Sequence, residues 1–596
     1  SPLTGLEADQ KEMVFAAGLE GVQKNQHIAV ENLITDCLQN LIRDGIPKEL
    51  VDSSLHQLEI RQREITGSGM PFGLQIMLTC LPACIHNDDP LNILDLDNAF
   101  NIIKERLTQD KYIESLIEKH LVNNPHKLNY SLVPDTEFNK RNEDAIVKKV
   151  HQRTESLTID DKNKIVALAE ALEKRQEKID DPEILPKVTK DDIPLSRNYP
   201  KPDIFVSNNI ENYFYKSGTN GLVYHSMLFP CEALDNDELK IASLFTSSLT
   251  DVGLGSDSYE DVQKYQSSIT GGISASFAMI PNAGGLEHKL ALKISGKSLE
   301  KNAHLMQDLM LRTVQEANFD ERQRIQELLS FISADNEQSL TQNGHILAMA
   351  NAASQLTEVA STNDFTSGVR FISNTGLLSK NIDNNDNLDI YIKNLKSIQS
   401  KISLTPKNIF TASSLDQNEM NLKSFAELNA ADVDEQDFIS IQDKSIGWIT
   451  GSHVCFCAEA FPTVDSSHED APALSVLGTV LRNGYLHSAI REKGGAYGAG
   501  AMQDSHNSVF KFFSYRDPKC TETFSEFNNA REWSLNNITN AHLDEGVLGV
   551  ISSIDKPMSP YGEAINDFMS ELDHKTQEDR LLFRNKVSSS IKKIFI

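Results

Sequence analysis

The sequence predicts an α+β fold in which one antiparallel-sheet-plus-helices domain occurs twice. A helical hairpin and the truncated end of a further such domain precede the two copies. Three observations carry that reading. Two blocks repeat the same order of strands, helices and glycines. Two long charged helices, at about 137–156 and 159–179, are joined by a short turn and followed by prolines 182, 186, 194, 200 and 202. Residues 1 to about 120 read as helices, with one strand after them and no complete sheet.

In chain order, Lys11–Val22 is amphipathic and is expected to be helical. His27–Arg43 carries Val30, Leu33, Ile34, Cys37 and Leu41 on one helical stripe. Pro47 opens the next helix at its first turn, where its missing N–H costs nothing, and Leu50–Ile65 continue it. Leu91–Leu107 and Tyr112–Leu121 are further helices, and Lys127–Val133 alternates like a strand. The second hairpin helix opens on Thr158-Ile159-Asp160-Asp161, a capping-box-like pattern.

The first repeated block runs from a strand at Leu222–Phe229 through Pro230 and Asp235–Asp237 to a helix at Glu238–Leu249. A second helix, Tyr259–Ser268, leads to Gly271-Gly272 and a strand at Ser274–Met279. Helical patterns follow over Lys297–Glu316 and Phe319–Phe331. The second block starts with a strand at Val454–Phe461, then Pro462, Glu469-Asp470 and a helix at Ala473–Leu481. A second helix, Tyr485–Arg491, leads to Gly494-Gly495 and further strands. The shared punctuation favours a duplicated domain.

Composition narrows the function. Net charge is −28, which disfavours nucleic acid and anionic lipid as partners and suits cationic ligands. The most apolar segment, Gly73–Ile85, is too short to span a bilayer. Ser1–Thr4 show no signal-peptide pattern. Seven cysteines, an odd number in a long chain, point to reduced thiols inside a cell. Cys80 and Cys84 are spaced for one helix face, and Cys455 and Cys457 for one strand face. Their spacing completes no zinc-finger pattern, so they are expected as core thiols.

The stretch richest in chemistry is Ile490-Arg491-Glu492-Lys493-Gly494-Gly495-Ala496-Tyr497-Gly498-Ala499-Gly500. Glycine allows a close approach by another backbone. The order is helix, glycines, strand, which is the reverse of a phosphate-binding loop. Leu486–Gly498, with Ser514-Tyr515-Arg516-Asp517-Pro518, closely resembles the last domain of presequence proteases, which are pitrilysin-type zinc metallopeptidases. Asn123–Leu128, the hairpin and Gly272–Ser276 resemble the same family, in the family's order.

The resemblance implies the following segments: 1–135 as the end of a second peptidase-like domain, 136–181 as the connecting hairpin, and 182–203 as a linker. Residues 204–430 would be a non-catalytic third domain and 431–596 a fourth domain carrying the Arg/Tyr motif. It also implies a clamshell enzyme whose zinc is held by an inverted H-x-x-E-H helix plus a Glu. No two of the sixteen histidines lie four apart, and the nearest fragment, Glu287-His288, has Gly284 where the first His belongs. The metal-ligand set of this chain is therefore expected to be empty, with zinc on a missing N-terminal half. Arg491 and Tyr497 match the family's catalytic contribution. Gly494 and Gly495 are expected to shape the substrate loop, and His487 to pack behind Arg491. The expected partners are unfolded peptides and that N-terminal half, with no nucleic acid and no membrane. The rival readings are a non-catalytic subunit and a peptide-binding homologue beside a separate zinc-bearing chain. The cytoplasm is the expected compartment, with the mitochondrial matrix or another organelle as the alternative.

Overall fold

The computed structural model describes residues 4–23, 25–66, 69–177, 184, 186–281, 288–420, 422, 435–436 and 445–589. The chain forms two compact units. Residues 1–47 and 80–188 make the first, and residues 48–79 and 189–596 make the second.

The chain opens with the antiparallel pair β1 (Gly5–Glu7) and β2 (Val14–Ala16). The amphipathic helix expected over Lys11–Val22 is therefore corrected to a strand. Val14 and Phe15 favour extended backbone, and Gly18 and Gly21 weaken any helix after them. α1 (His27–Asp44) ends at Gly45, whose φ of 81° suits a residue without a side chain. α2 (Lys48–Arg63), α3 (Phe72–Ile85), α4 (Leu91–Leu94), α5 (Leu96–Arg106) and α6 (Tyr112–Ile117) follow.

Lys127–Val133 forms no strand, which is a second correction. Leu128, Tyr130 and Leu132 stand more than three-quarters exposed. An alternating segment without a neighbour to pair with has no ladder to join. The hairpin consists of α7 (Phe138–Glu155) and α8 (Ile159–Glu177). Its capping box is present: Asp161 N–H donates to Thr158 Oγ1, and Thr158 N–H to Asp161 Oδ2 (3.2 and 3.0 Å).

In the second unit the strands are β3 (Asp203–Ser207), β4 (Ile210–Lys216) and β5 (Leu222–Cys231). Then come α9 (Asn236–Leu249), β6 (Gly253–Leu254), α10 (Tyr259–Ile269), β7 (Ile273–Pro281) and β8 (His288–Leu299). The residues from Lys297 to Leu299, expected as helix, finish β8. The helical part starts at α11 (Ala303–Glu316). β9 (Ala317–Asn318), α12 (Arg322–Gln342), α13 (Gly344–Ala353), α14 (Glu358–Ser367), α15 (Val369–Asn381), α16 (Asn385–Lys401) and β10 (Asn408–Ser413) complete this part. The six-stranded sheet has the order β3-β4-β10-β5-β8-β7. All ten residues of β5 are buried. Its mostly apolar run, interrupted by His225 and Ser226, fits a strand covered on both faces.

The later strands are β11 (Ala458–Pro462), β12 (Gly498–Asp504) and β13 (Val509–Tyr515), in the order β11-β13-β12. β11 is shorter than expected: Cys455 makes only an isolated bridge to Asp517. α17 (Ala471–Leu481) lies between β11 and β12 in the chain, and α18 (Thr521–Asn537), α19 (Asn540–Ile554), α20 (Pro560–Leu572) and α21 (Gln577–Ser589) follow β13. α20 returns to the larger sheet, where Phe568 packs against Phe410 and Tyr213 (5.3 and 5.1 Å between ring centroids).

β5, β8 and β7 are thus arranged like β11, β13 and β12. In each set helix separates the first strand from the other two (α9 and α10 in one, α17 and its continuation in the other), and the strand latest in sequence pairs antiparallel to both. Among the described residues no helix is long and apolar enough to cross a membrane.

Candidate active site

After α17 the helix continues through Arg482–Glu492 in the wider π form, with Lys493 N–H donating to Ser488 O at 3.1 Å. Long π segments are uncommon and concentrate at functional sites. Leu486 and Ile490 bury one face, so Arg491 is turned outward at the helix end. Gly495, at φ 88°, donates to Arg491 O at 3.0 Å, and Ala496 donates to Ile490 O at 3.1 Å. This closure reverses the chain sharply, as left-handed glycine caps do. Gly494 is required for a different reason: a Cβ there would lie 2.4 Å from Ile490 O.

The reversal carries Tyr497 back beside Arg491. The guanidinium carbon stands 5.9 Å from the centre of the Tyr497 ring, within cation–π range. Tyr497 N–H donates to Tyr515 O and Arg516 O (3.1 and 3.3 Å), which fixes the residue at the start of β12. The side chain remains open, with Tyr497 66% exposed. Among the described residues none accepts a hydrogen bond from its hydroxyl. The four residues singled out from the sequence therefore lie in one turn. His487, one turn before Arg491, touches Arg491 Nη1 through Nε2 at 3.3 Å and faces Glu492 through Nδ1 at 3.6 Å.

Sequence reasoning assigned no role to Tyr515, although it lies in the quoted Ser514–Pro518 segment. Its ring meets that of Tyr497 edge-on at 5.6 Å and 83°. Phe456 and His345 flank it at 5.8 and 4.5 Å. His345 comes from α13, more than a hundred residues earlier, and no local pattern announces it. Burial pushes its pKa down.

Such a pair can hold a peptide. A cation and a phenol that project from a glycine turn can donate to carbonyl oxygens or to a developing oxyanion. The same residues do not offer a metal site. Among the described residues no group of three or more His, Cys, Asp or Glu is placed to hold an ion. The Glu287 and Gly284 positions of the nearest sequence fragment lie outside the described residues.

Two family models match. One, for a region associated with the C subfamily of peptidase M16, matches residues 132–376, and the other, described as the PreP C-terminal domain, matches residues 452–596. By these two models the chain resembles the presequence proteases. Proteins named mitochondrial presequence protease resemble it almost end to end. The one from Yarrowia lipolytica is 27% identical across 97% of this chain and 59% of its own length. For the Emericella nidulans protein the figures are 28%, 97% and 57%, and for the Drosophila melanogaster protein 26%, 98% and 57%. The chain thus spans less than two-thirds of these presequence proteases and corresponds to a carboxyl-terminal half. A structure described as the peptidase M16 inactive domain from Pseudomonas fluorescens is similar at TM-score 0.43 and 12% identity, covering 65% of this chain and 92% of that one.

Proposed function

We propose that this chain is the carboxyl-terminal half of a zinc metalloendopeptidase that degrades unfolded oligopeptides, such as presequence-like peptides, in a closed chamber. The observation that supports this most is the open turn in which Arg491 and Tyr497 stand side by side. In this reading Tyr497 donates its hydroxyl proton in a hydrogen bond to the scissile carbonyl as it becomes an oxyanion. Arg491 holds the substrate backbone or steadies that charge. Gly494 and Gly495 keep side chains out of the peptide's path.

Zinc does not fit the described residues, so we assign it to an N-terminal half. The site is completed when the two halves meet, which also excludes water and bulky folded substrates. The segments 1–135, 136–181, 182–203, 204–430 and 431–596 are retained as the proposed domains, with unfolded peptides and the N-terminal half as partners. The relatives' names favour the organellar alternative over the cytoplasm.

The test is Tyr497→Phe in the complete enzyme. Loss of one oxyanion donor lowers turnover by about 10²–10³-fold, with KM little changed. Unchanged turnover would remove Tyr497 from the mechanism.

A further inference from the structure

Three of the seven cysteines converge at the base of the Tyr497 turn. Cys455 and Cys457 precede β11, and Cys520 caps the start of α18. Backbone hydrogen bonds fix the arrangement. Cys455 N–H donates to Asp517 O and Asp517 N–H donates to Cys455 O (2.7 and 2.9 Å). Cys457 O accepts from Ser514 N–H at 2.9 Å. The Cys457 sulfur lies 3.9 Å from Lys519 O and 4.0 Å from Cys520 O. The Cys520 backbone thus lies against the Cys457 sulfur, three residues on from the Asp517 that bridges to Cys455. Core packing alone does not account for the trio, because Cys520 is exposed while Cys457 is buried and Cys455 half-buried. An exposed thiol backed by two covered ones has the layout of an attacked and a resolving cysteine.

We propose that Cys520 and the Cys455/Cys457 pair form a peroxide-responsive disulfide site that staples the 455–457 segment to the turn after β13. The chemistry balances with a hydroperoxide as oxidant. The Cys520 thiolate attacks the peroxide oxygen, the O–O bond breaks, and with hydrogen peroxide the departing hydroxide takes up the proton the thiol gave up and leaves as water, giving the sulfenic acid. The second thiol, as its thiolate, then attacks that sulfur. The S–O bond breaks, hydroxide takes up the released proton and leaves as water, and the S–S bond forms. The two thiols lose two electrons in all, and the peroxide gains them.

Burial pushes the Cys457 thiol up to about 12 and raises Cys455 as well, so the covered thiols resist direct attack on peroxide and the exposed Cys520 is the one that meets it. The staple would restrict the strand end that carries Tyr515 and Arg516, whose carbonyls hold Tyr497 N–H.

The experiment uses this chain as it stands. Trypsin leaves Cys455 and Cys457 on one peptide and Cys520 on another, because Lys519 and Arg531 bound the latter and no Lys or Arg lies between 445 and 481. After stoichiometric hydrogen peroxide and alkylation, a non-reducing digest should contain these two peptides cross-linked. Free thiols should fall from seven to five, and a dithiol should restore them. Cys520→Ser should abolish the cross-link. Cys455→Ser/Cys457→Ser should leave Cys520 as a sulfenic acid that a diketone probe traps. Cross-links confined to Cys37, Cys80 or Cys84, or a Cys520 recovered only as an alkylated thiol or sulfinic acid, would overturn the proposal. The digest of the unsubstituted chain decides even if a variant fails to fold.

Discussion

The two glycine turns share their topology and differ in what lies over them. In the first block Gly271-Gly272 joins α10 to β7, and α2 covers it. A Cβ on Gly271 would lie 2.8 Å from Ile60, and Gln57 Nε2 donates to Thr270 O at 2.7 Å. In the second block Gly494-Gly495 joins the helix to β12 and leaves Tyr497 open to solvent. Counting from the glycine pairs, Ser268 and Ser274 stand where Arg491 and Tyr497 stand. One copy spends its turn on packing, and the other holds a cation and a phenol where a ligand can reach them. In the proposed reading the same backbone device separates into a structural role and a chemical one through two side chains and one covering helix.

A large effect is expected from giving the second turn the first turn's residue. Arg491→Ser in the complete enzyme should lower turnover by about 10²-fold or more. Ser268→Ala should not change it. Steady-state kinetics on one unfolded peptide checks both.

The blocks should also fail differently. The smaller sheet holds the largely covered pair Lys511–Asp504 (2.5 Å). Burial alone would raise the Asp504 pKa, but Asn507 and Lys511 outweigh it and hold the carboxyl low. Lys511→Met leaves that charge unpaired and should cost about 3 kcal/mol in urea unfolding. The larger sheet instead holds His225, fully buried beside Thr411 and pushed down to about 4. The unfolded histidine takes its proton near pH 6.5, before the folded one does. Its contribution is therefore full above roughly pH 6.5 and is lost as pH falls toward 4, with roughly 2 kcal/mol gone at pH 5. Comparing the pH 7-to-5 loss with that of His225→Gln isolates the effect.

Smaller changes separate packing from chemistry. Gly495→Ala and Gly272→Ala each force a side chain into positive φ (88° and 112°). Each should cost about 1–2 kcal/mol in stability, but only Gly495→Ala should also reduce turnover. Gln57→Ala should cost about 1 kcal/mol and leave turnover alone. A matched loss of turnover in the Gly272 and Gln57 variants would erase the distinction between the turns.

Much of this was legible along the chain. Proline, acidic pair and Gly-Gly marked both blocks, because caps and left-handed turns demand particular residues. Asp235 does cap α9 and Gly495 does take positive φ. The juxtaposition of Arg491 and Tyr497 was legible because they are close in sequence and one turn joins them. Val14–Ala16 was misread because a three-residue strand leaves too little alternation to outweigh a helical stripe. Lys127–Val133 was misread because pairing depends on a neighbour that local sequence does not show. His345 and α2 reach their turns from far away in the chain. Neither contact has a local signature.

The central claim is that the open turn, not its covered counterpart, meets the peptide during hydrolysis. Single-turnover rates of Tyr497→Phe and Ser274→Ala, measured in the complete enzyme on one peptide, test it most directly. The account predicts a fall of about 10²–10³-fold for Tyr497→Phe and no change for Ser274→Ala. Equal rates in the two variants would contradict it.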